Sequence, residues 1–320
     1  MDFSKAFDMV PHSTILDALQ QKFCVDNGCL YFIHHFLSNR LQRVVASGHA
    51  CEYVEVTSGV PQGSLLGPLL FAVVTNSLEV VSDNTSLVAY ADDITLIHHV
   101  LPNGTNLIQD EFENLKEWAS TLGLRINAQK TKVMTIRRGP LLQNLPSLSL
   151  NGTPIERVDS IKILGIIFDF NLKWKSQVSS VVNKCSKAFG LVRKVANIGC
   201  SDKDLSKLYI AFVYSIMAYA IPVYIDMTTS EFNALELFDR KFSRLCRTKS
   251  HMKQLRQRFQ QIIIRLMGKI AANYENHPLS KFFIRRSDDS FNLRTRNSLF
   301  PIIFKTNLSI KSFLSAYKYS

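Results

Sequence analysis

The sequence predicts an α+β chain, and three observations carry the prediction. Short runs rich in Val, Ile, Leu, Tyr and Thr, several of them separated by tight-turn residues, fill the first half. Apolar residues at helical spacing dominate from Val178 onward. The 320 residues are 46% apolar, which suffices for two or three packed cores and excludes a disordered chain. Six scattered cysteines, with no Cys-x-x-Cys pair and no His partner at metal spacing, argue against a zinc site or a disulfide framework and for a reducing, intracellular setting. The first residues lack the basic-then-apolar order of a signal peptide.

The remaining elements are organised around residues 87–97, where two apolar runs flank Asp92 and Asp93. This pattern predicts two short strands meeting at a turn that holds both carboxylates. Adjacent carboxylates at a hairpin tip repel one another and invite a divalent cation. The other reading is a turn that uses Asp for its geometry alone. Ahead of the hairpin, Asp2 precedes Phe3, Phe7 and a helix over residues 15–19 capped by Ser13 or Thr14. Residues 42–46 and 52–56 alternate polar and apolar side chains and predict a second hairpin. Residues 58–68, rich in Gly and Pro, then open an apolar helix over 69–74. Such a loop lets backbone approach a ligand, and N–H groups at a helix start favour an anion; an ordinary loop entering a buried helix has the same composition. His98 and His99 leave the central hairpin without further ligands nearby in sequence, which suits packing or surface positions better than a metal site.

Residues 110–122 place Phe112, Leu115, Trp118, Ala119 and Leu122 on one helical face, with Gly123 as C-cap. Strands are predicted at 124–127 and 132–136, around a turn whose Lys130 is either solvated or substrate-facing. Residues 139–146 are the linker candidate. Beyond them, Asn151-Gly152 predicts a hairpin over 148–155, and 161–168 form one more strand-like run. The uncharged stretch 208–225 contains four tyrosines and Pro222, and predicts a buried helix ending near Pro222 rather than a membrane span. Charge is uneven, with net −4 over residues 1–150 and net +16 over 151–320. No acid occurs between Asp239 and Glu275, so the second half reads as a polyanion-binding surface.

Taken in order, five segments resemble the reverse transcriptase domain of non-LTR (LINE-type) retrotransposons. They are Asp2 to Asp8 with Val10-Pro11-His12, then Ser58 to Pro68, then Tyr90-Ala91-Asp92-Asp93, then Gly123-Leu124 with Asn127 to Thr131, and finally Leu164-Gly165 with Asp169, Leu172 and Trp174. Residues 208–224 resemble, more weakly, the family's helical thumb. The resemblance implies a right-hand polymerase palm over residues 1–145, a primer-grip-like β-hairpin over 146–176 and a mostly helical, basic thumb and C-terminal region over 177–320. It implies an RNA-directed DNA polymerase working by two-metal nucleotidyl transfer. Asp2, Asp92 and Asp93 are then the catalytic carboxylates and metal ligands, with Asp2 and Asp92 bridging two Mg²⁺ ions and Mn²⁺ as a substitute.

By the same resemblance, Phe7 is the gate beneath the sugar, Gln62 and the Gly63 backbone contact the incoming nucleotide, and Lys130 lies near its triphosphate. Asp8 is read as structural. The implied partners are an RNA template with its DNA primer and deoxynucleoside triphosphates, in the nucleus or cytoplasm and without a membrane. The family's fingers region precedes the first palm motif, so the chain is expected to be truncated at its N-terminus, with the fingers missing. The alternative is an inactive remnant that at most binds nucleic acid through its basic half.

Overall fold

The computed structural model describes residues 1–100, 107–137, 147–246 and 254–280, and the backbone of 283–285 and 299–301. The linker candidate, residues 139–146, lies outside these residues. Two compact units emerge: the described residues of Met1–Thr135 and Gly139–Asp159, and those of Ile136–Arg138 and Ser160–Ser320.

The first unit begins with a short extended segment and helices α1 (Ala6–Met9), α2 (His12–Gln21) and α3 (Asn27–Leu37). Two nested ribbons follow, β1 (Leu41–Gln42) paired with β4 (Val54–Glu55) around β2 (Val45–Ala46) paired with β3 (His49–Ala50). Helix α4 (Leu66–Thr75), the hairpin β5 (Thr85–Tyr90) and β6 (Asp93–His98), and helix α5 (Ile108–Thr121) come next. Strand β7 (Lys132–Val133), the hairpin β8 (Ser149–Leu150) and β9 (Thr153–Pro154), and β10 (Glu156–Arg157), which runs parallel to β7, complete the unit. Its main core joins Phe3, Ile15, Leu37, Leu70, Phe71, Val74, Ile94, Leu115 and Ala119. Spacings of three and four residues bury Ile15 and Leu19 on α2 and Phe112, Leu115 and Ala119 on α5, the pattern of one-sided helices. Helix α2 has Pro11 rather than Ser13 or Thr14 at its N-cap, and no side chain caps it. Proline's fixed φ suits entry into a helix, and its missing N–H would have been orphaned there anyway.

The second unit opens with the hairpin β11 (Ser160–Ile163) and β12 (Ile166–Asp169), where the sequence suggested one continuous run. Leu164 and Gly165 both have positive φ, 47° and 84°, and fold it back on itself. The helices α6 (Lys175–Asn197), α7 (Asp202–Tyr209), α8 (Ser215–Ala218), α9 (Ile221–Tyr224), α10 (Thr229–Leu245) and α11 (Leu255–Ala272) follow, then the backbone ribbon β13 (Phe283–Arg285) with β14 (Leu299–Pro301). Thr228 and Glu231 form a capping box at the start of α10.

A π-helical turn, Ile210–Tyr214, separates α7 from α8 for a geometric reason. Tyr209, Val213, Met217 and Ile221, all fully buried, recur every four residues. Each such step over-rotates a 3.6-residue helix by about 40°, and the extra residue of a π-turn brings the row back to the core. The continuous helical run Asp202–Ala218 ends just before Pro222, which lies in the first turn of the separate short helix α9. Among the described residues, no helix is long and apolar enough to cross a membrane. The described chain has six free cysteines; burial pushes the Cys185 thiol up to about 12, so it is inert as a nucleophile.

Candidate active site

The site is built on the first four residues. The Met1 amino group donates to the Ile94 carbonyl at 2.6 Å, and Ile94 N–H returns a bond to the Met1 carbonyl at 3.4 Å. Such an exchange is the hydrogen-bonded pair of an antiparallel ladder, so the next residues along, Asp2 and Asp93, stand opposite each other. On its other edge the segment receives Asn127 N–H on the Asp2 carbonyl at 2.9 Å and donates from Ser4 to Arg125 at 2.8 Å, with Phe3 bridged to Ile126. Alternation then sorts the side chains. Phe3 and Ile94 are buried at 3% and 1% exposure, which sends Asp2 and Asp93 to the opposite face. Opposed residues there lie about 4.5–5.5 Å apart at Cβ. Burial pushes the Met1 ammonium pKa down, against the charges of Asp93 and Asp2, both near enough to oppose it.

The hairpin turn differs from the expected one. Tyr90 pairs with Asp93, so the turn consists of Ala91 and Asp92, and Asp93 begins β6. Ala91 takes φ 53°, a left-handed conformation that costs an L-residue about 1–2 kcal/mol. A two-residue turn with its first φ positive matches strand twist, which is why the strain is tolerated. The result leaves Asp92 half-buried at the tip and Asp93 exposed on the strand.

Asp2 carries the electrostatic focus. Its Oδ2 is buried without a hydrogen-bond partner, and the nearest cation, Lys130 Nζ, stands 3.2 Å away. Lys130 is held in place by Asn127, whose side chain accepts from Gln129 and Lys130 N–H at 3.1 and 3.2 Å, an Asx turn. The other expected residues are engaged elsewhere in the first unit. Gln62 Nε2 donates to Asp8 Oδ1 at 2.9 Å, and the Phe7 ring lies 4.5 Å from that of Phe71. The loop bearing Gln62 is fastened to α1: Val60 N–H donates to Phe7 O at 2.7 Å and the Ser58 hydroxyl to Asp8 O at 2.8 Å. Gly59 makes this approach possible, because a Cβ there would stand 2.5 Å from Asp8 Cα. Gly63 is open, with nothing within 4 Å of where a Cβ would project.

One functional support escaped the sequence reading. Glu111, 1% exposed, accepts N–H groups from Val81 and Ser82 at 2.9 and 2.8 Å. It also meets the Thr85 hydroxyl, which bonds His98 Nδ1 at 2.9 Å, while Leu107 N–H donates to His98 Nε2. Burial pushes the Glu111 pKa up, yet the two N–H groups, the hydroxyl and nearby His98 outweigh it and hold the carboxyl below its ordinary value. The network clamps the open end of the β5–β6 hairpin to α5. Its one legible signal was position, since Glu111 lies four residues before Leu115 on the helix's buried face.

The carboxylate oxygens are hard donors of the kind Mg²⁺ takes, and Asp2 Oδ2, which has no hydrogen bond and is balanced by Lys130 Nζ, fits such an ion. Among the described residues, however, no three His, Cys, Asp or Glu side chains are gathered at metal-holding distance.

The unit is a mixed helix-and-strand fold that sets carboxylates on adjoining strands beside a tight hairpin, as a polymerase palm does. Residues 1–168 match the family described as reverse transcriptase (RNA-dependent DNA polymerase), and the chain belongs to that family. It is similar to the RNA-directed DNA polymerase from mobile element jockey of Drosophila funebris, at 26% identity across 76% of this chain and 27% of the relative. It is also similar to the putative 115 kDa protein in type-1 retrotransposable element R1DM of Drosophila melanogaster, at 26% identity across 71% of this chain and 22% of the relative. A third relative is the retrovirus-related Pol polyprotein from type-1 retrotransposable element R2 of Popillia japonica, at 25% identity across 52% of this chain and 30% of that protein. The chain spans about a quarter of the length of the curated relatives it matches.

Proposed function

We propose that the chain acts in RNA-directed DNA synthesis for a non-LTR retrotransposon, its first unit serving as the palm. The observation that carries this reading is the Met1–Ile94 exchange, which sets Asp2 opposite Asp93 next to the hairpin tip bearing Asp92. Asp2, Asp92 and Asp93 are the residues that hold divalent metal, two Mg²⁺ ions with Mn²⁺ as a substitute. When bound, such ions stabilise the charge on the attacking and leaving oxygens of an in-line displacement at phosphorus. Lys130 balances Asp2 and exchanges that carboxylate for a triphosphate oxygen when nucleotide binds. Phe7, backed by Phe71, offers a flat surface to the sugar, and Gly63 an unobstructed backbone to the incoming nucleotide. Gln62 contacts that nucleotide once released from Asp8. The hairpin β11–β12 is the primer grip, and the helices from α6 onward form the thumb that holds template and primer through phosphate contacts. The substrates are deoxynucleoside triphosphates and a primed RNA template, met in the nucleus or cytoplasm.

A second reading draws on a specific observation. The Lys130–Asp2 ion pair, with no gathered set of three ligands among the described residues, suits a chain that binds nucleic acid without extending it. Primer extension on an RNA template with Mg²⁺, comparing this chain with Asp92→Ala/Asp93→Ala, separates the two. Extension that depends on the carboxylates supports the polymerase; retention of template–primer without extension supports the second reading.

A further inference from the structure

Within the second unit, α6 and α10 line a cleft of about 470 Å³. Ser186, Phe189 and Gly190 on α6 and Phe238 and Leu245 on α10 line it, Phe189 half-buried and Phe238 almost wholly buried, together with Arg193, Lys241 and Arg244. The phenyl rings meet edge to face, 6.2 Å apart at 63°, and Lys241 Nζ lies 5.6 Å over the Phe238 ring. No carboxylate lines the cleft among the described residues, and none of the three cations has an ion-pair partner there. Helix α6 has no acidic residue along its whole length. Gly190 sharpens the picture: nothing lies within 4 Å of where its Cβ would be, so the missing side chain is open volume. A mid-helix glycine costs about 1 kcal/mol relative to alanine, and here the backbone geometry does not require one.

We infer that this cleft binds single-stranded nucleic acid by admitting one unstacked base against the Phe189 ring, which Phe238 backs edge to face, with Arg193, Lys241 and Arg244 on the adjoining phosphates. An aromatic and apolar lining beside three cations matches a planar aromatic body joined to anions. Phosphate contact alone needs no apolar lining, and entry of a base held within a duplex costs unpairing and unstacking energy. The surrounding net positive charge extends the attraction along the strand beyond the pocket. The inference stands apart from the carboxylate site, and its test reads binding rather than synthesis.

The experiment measures fluorescence anisotropy of the whole chain with a labelled uridine decamer and with a fully abasic decamer of equal charge. The base-bearing strand is expected to bind about tenfold more tightly. Gly190→Leu fills the cleft and improves helix propensity, so it should melt no lower than the wild type, lose the tenfold preference and leave the abasic affinity unchanged. Ser186→Phe, one helical turn away on the same wall, gives a second obstruction with the same expectation. Arg193→Gln should weaken both strands. Equal affinity of the wild type for the two decamers overturns the inference, as does a preference that survives both obstructing variants. Tighter binding of an RNA hairpin duplex that Gly190→Leu weakens also overturns it, in favour of a duplex seat.

Discussion

The hairpins β5–β6 and β11–β12 are alike in plan and opposite in support. Each reverses through two residues, Ala91-Asp92 in one and Leu164-Gly165 in the other, and each places a non-glycine residue at positive φ. In the second, the tip is tied: the Tyr219 hydroxyl donates to the Leu164 carbonyl at 2.7 Å, and its ring packs over Gly165. In the first, no hydrogen bond reaches the side chains of Ala91, Asp92 or Asp93 among the described residues. Support comes instead from the backbone of Ile94, the second residue of β6, through Met1, and from the hairpin's open end, through Glu111, Thr85 and His98. A tip that must offer carboxylates to a ligand cannot spend them on holding itself in place, so the constraint moves down the strand. The other tip carries no charge and is fixed directly.

The sharpest way to break this comparison is to remove the charge from the free tip. Asp93→Asn should lower primer extension by at least about 10²-fold, the cost of deleting one group that stabilises transition-state charge. The fold should be unaffected, because Asp93 is exposed. Extension at the wild-type rate would mean that the free tip is not the chemical one.

The next effect tests the clamp. Glu111→Gln keeps the shape but confronts a backbone N–H with an amide NH₂, and should cost about 1–3 kcal/mol, read as a lower melting temperature. The Glu111 carboxyl is held below its ordinary value of 4.5 in the folded chain. A carboxyl depressed by folding stabilises the fold above its unfolded value and loses that contribution as pH falls through the lower, folded one. The wild type's advantage over Glu111→Gln is therefore expected in full at neutral pH and diminished in acid. An advantage unchanged between pH 7 and 3 would show that the ionised form is not what the clamp uses.

Local chemistry made some of this legible and hid the rest. Asn151-Gly152 marked its turn because both residues accept positive φ, here 50° and 80°. The face of α5 followed from spacing, and Gly123 from the left-handed cap it supplies at φ 69°. The turns at Ala91 and Leu164 gave no such signal. Neither residue favours the left-handed region; cross-strand pairing holds both there, with Tyr219 added at Leu164. Asp2, Asp92 and Asp93 stood out as candidates, but their registration did not. Whether Asp92 or Asp93 faces Asp2 depends on a one-residue choice of turn, and such a slip exchanges the two faces of a strand. The Asp2–Lys130 ion pair joins residues far apart in the chain, and Glu111 resembles a solvated helix acid until the core closes over it.

The smallest effects fall on the tied tip. Tyr219→Phe removes one half-exposed hydrogen bond and should cost about 0.5–1 kcal/mol, visible as faster amide exchange at Gly165 with β5–β6 unaltered. Leu164→Gly acts in the other direction. Relief of a left-handed L-residue is worth about 1–2 kcal/mol, against about 0.4–1 kcal/mol for the added freedom of the unfolded chain, so a net gain of a few tenths to about 1 kcal/mol is expected. Ala91→Gly obeys the same arithmetic at the free tip, with a different consequence. Since no contact replaces the lost backbone restriction, Asp92 and Asp93 should sample more orientations, and extension should fall even as the melting temperature holds or rises. Leu164→Gly, still fastened by Tyr219, should melt higher without that loss. If the two glycine variants behave alike in both measurements, the tips are equivalent, and the distinction between a free end and a tied one has no bearing on the chemistry.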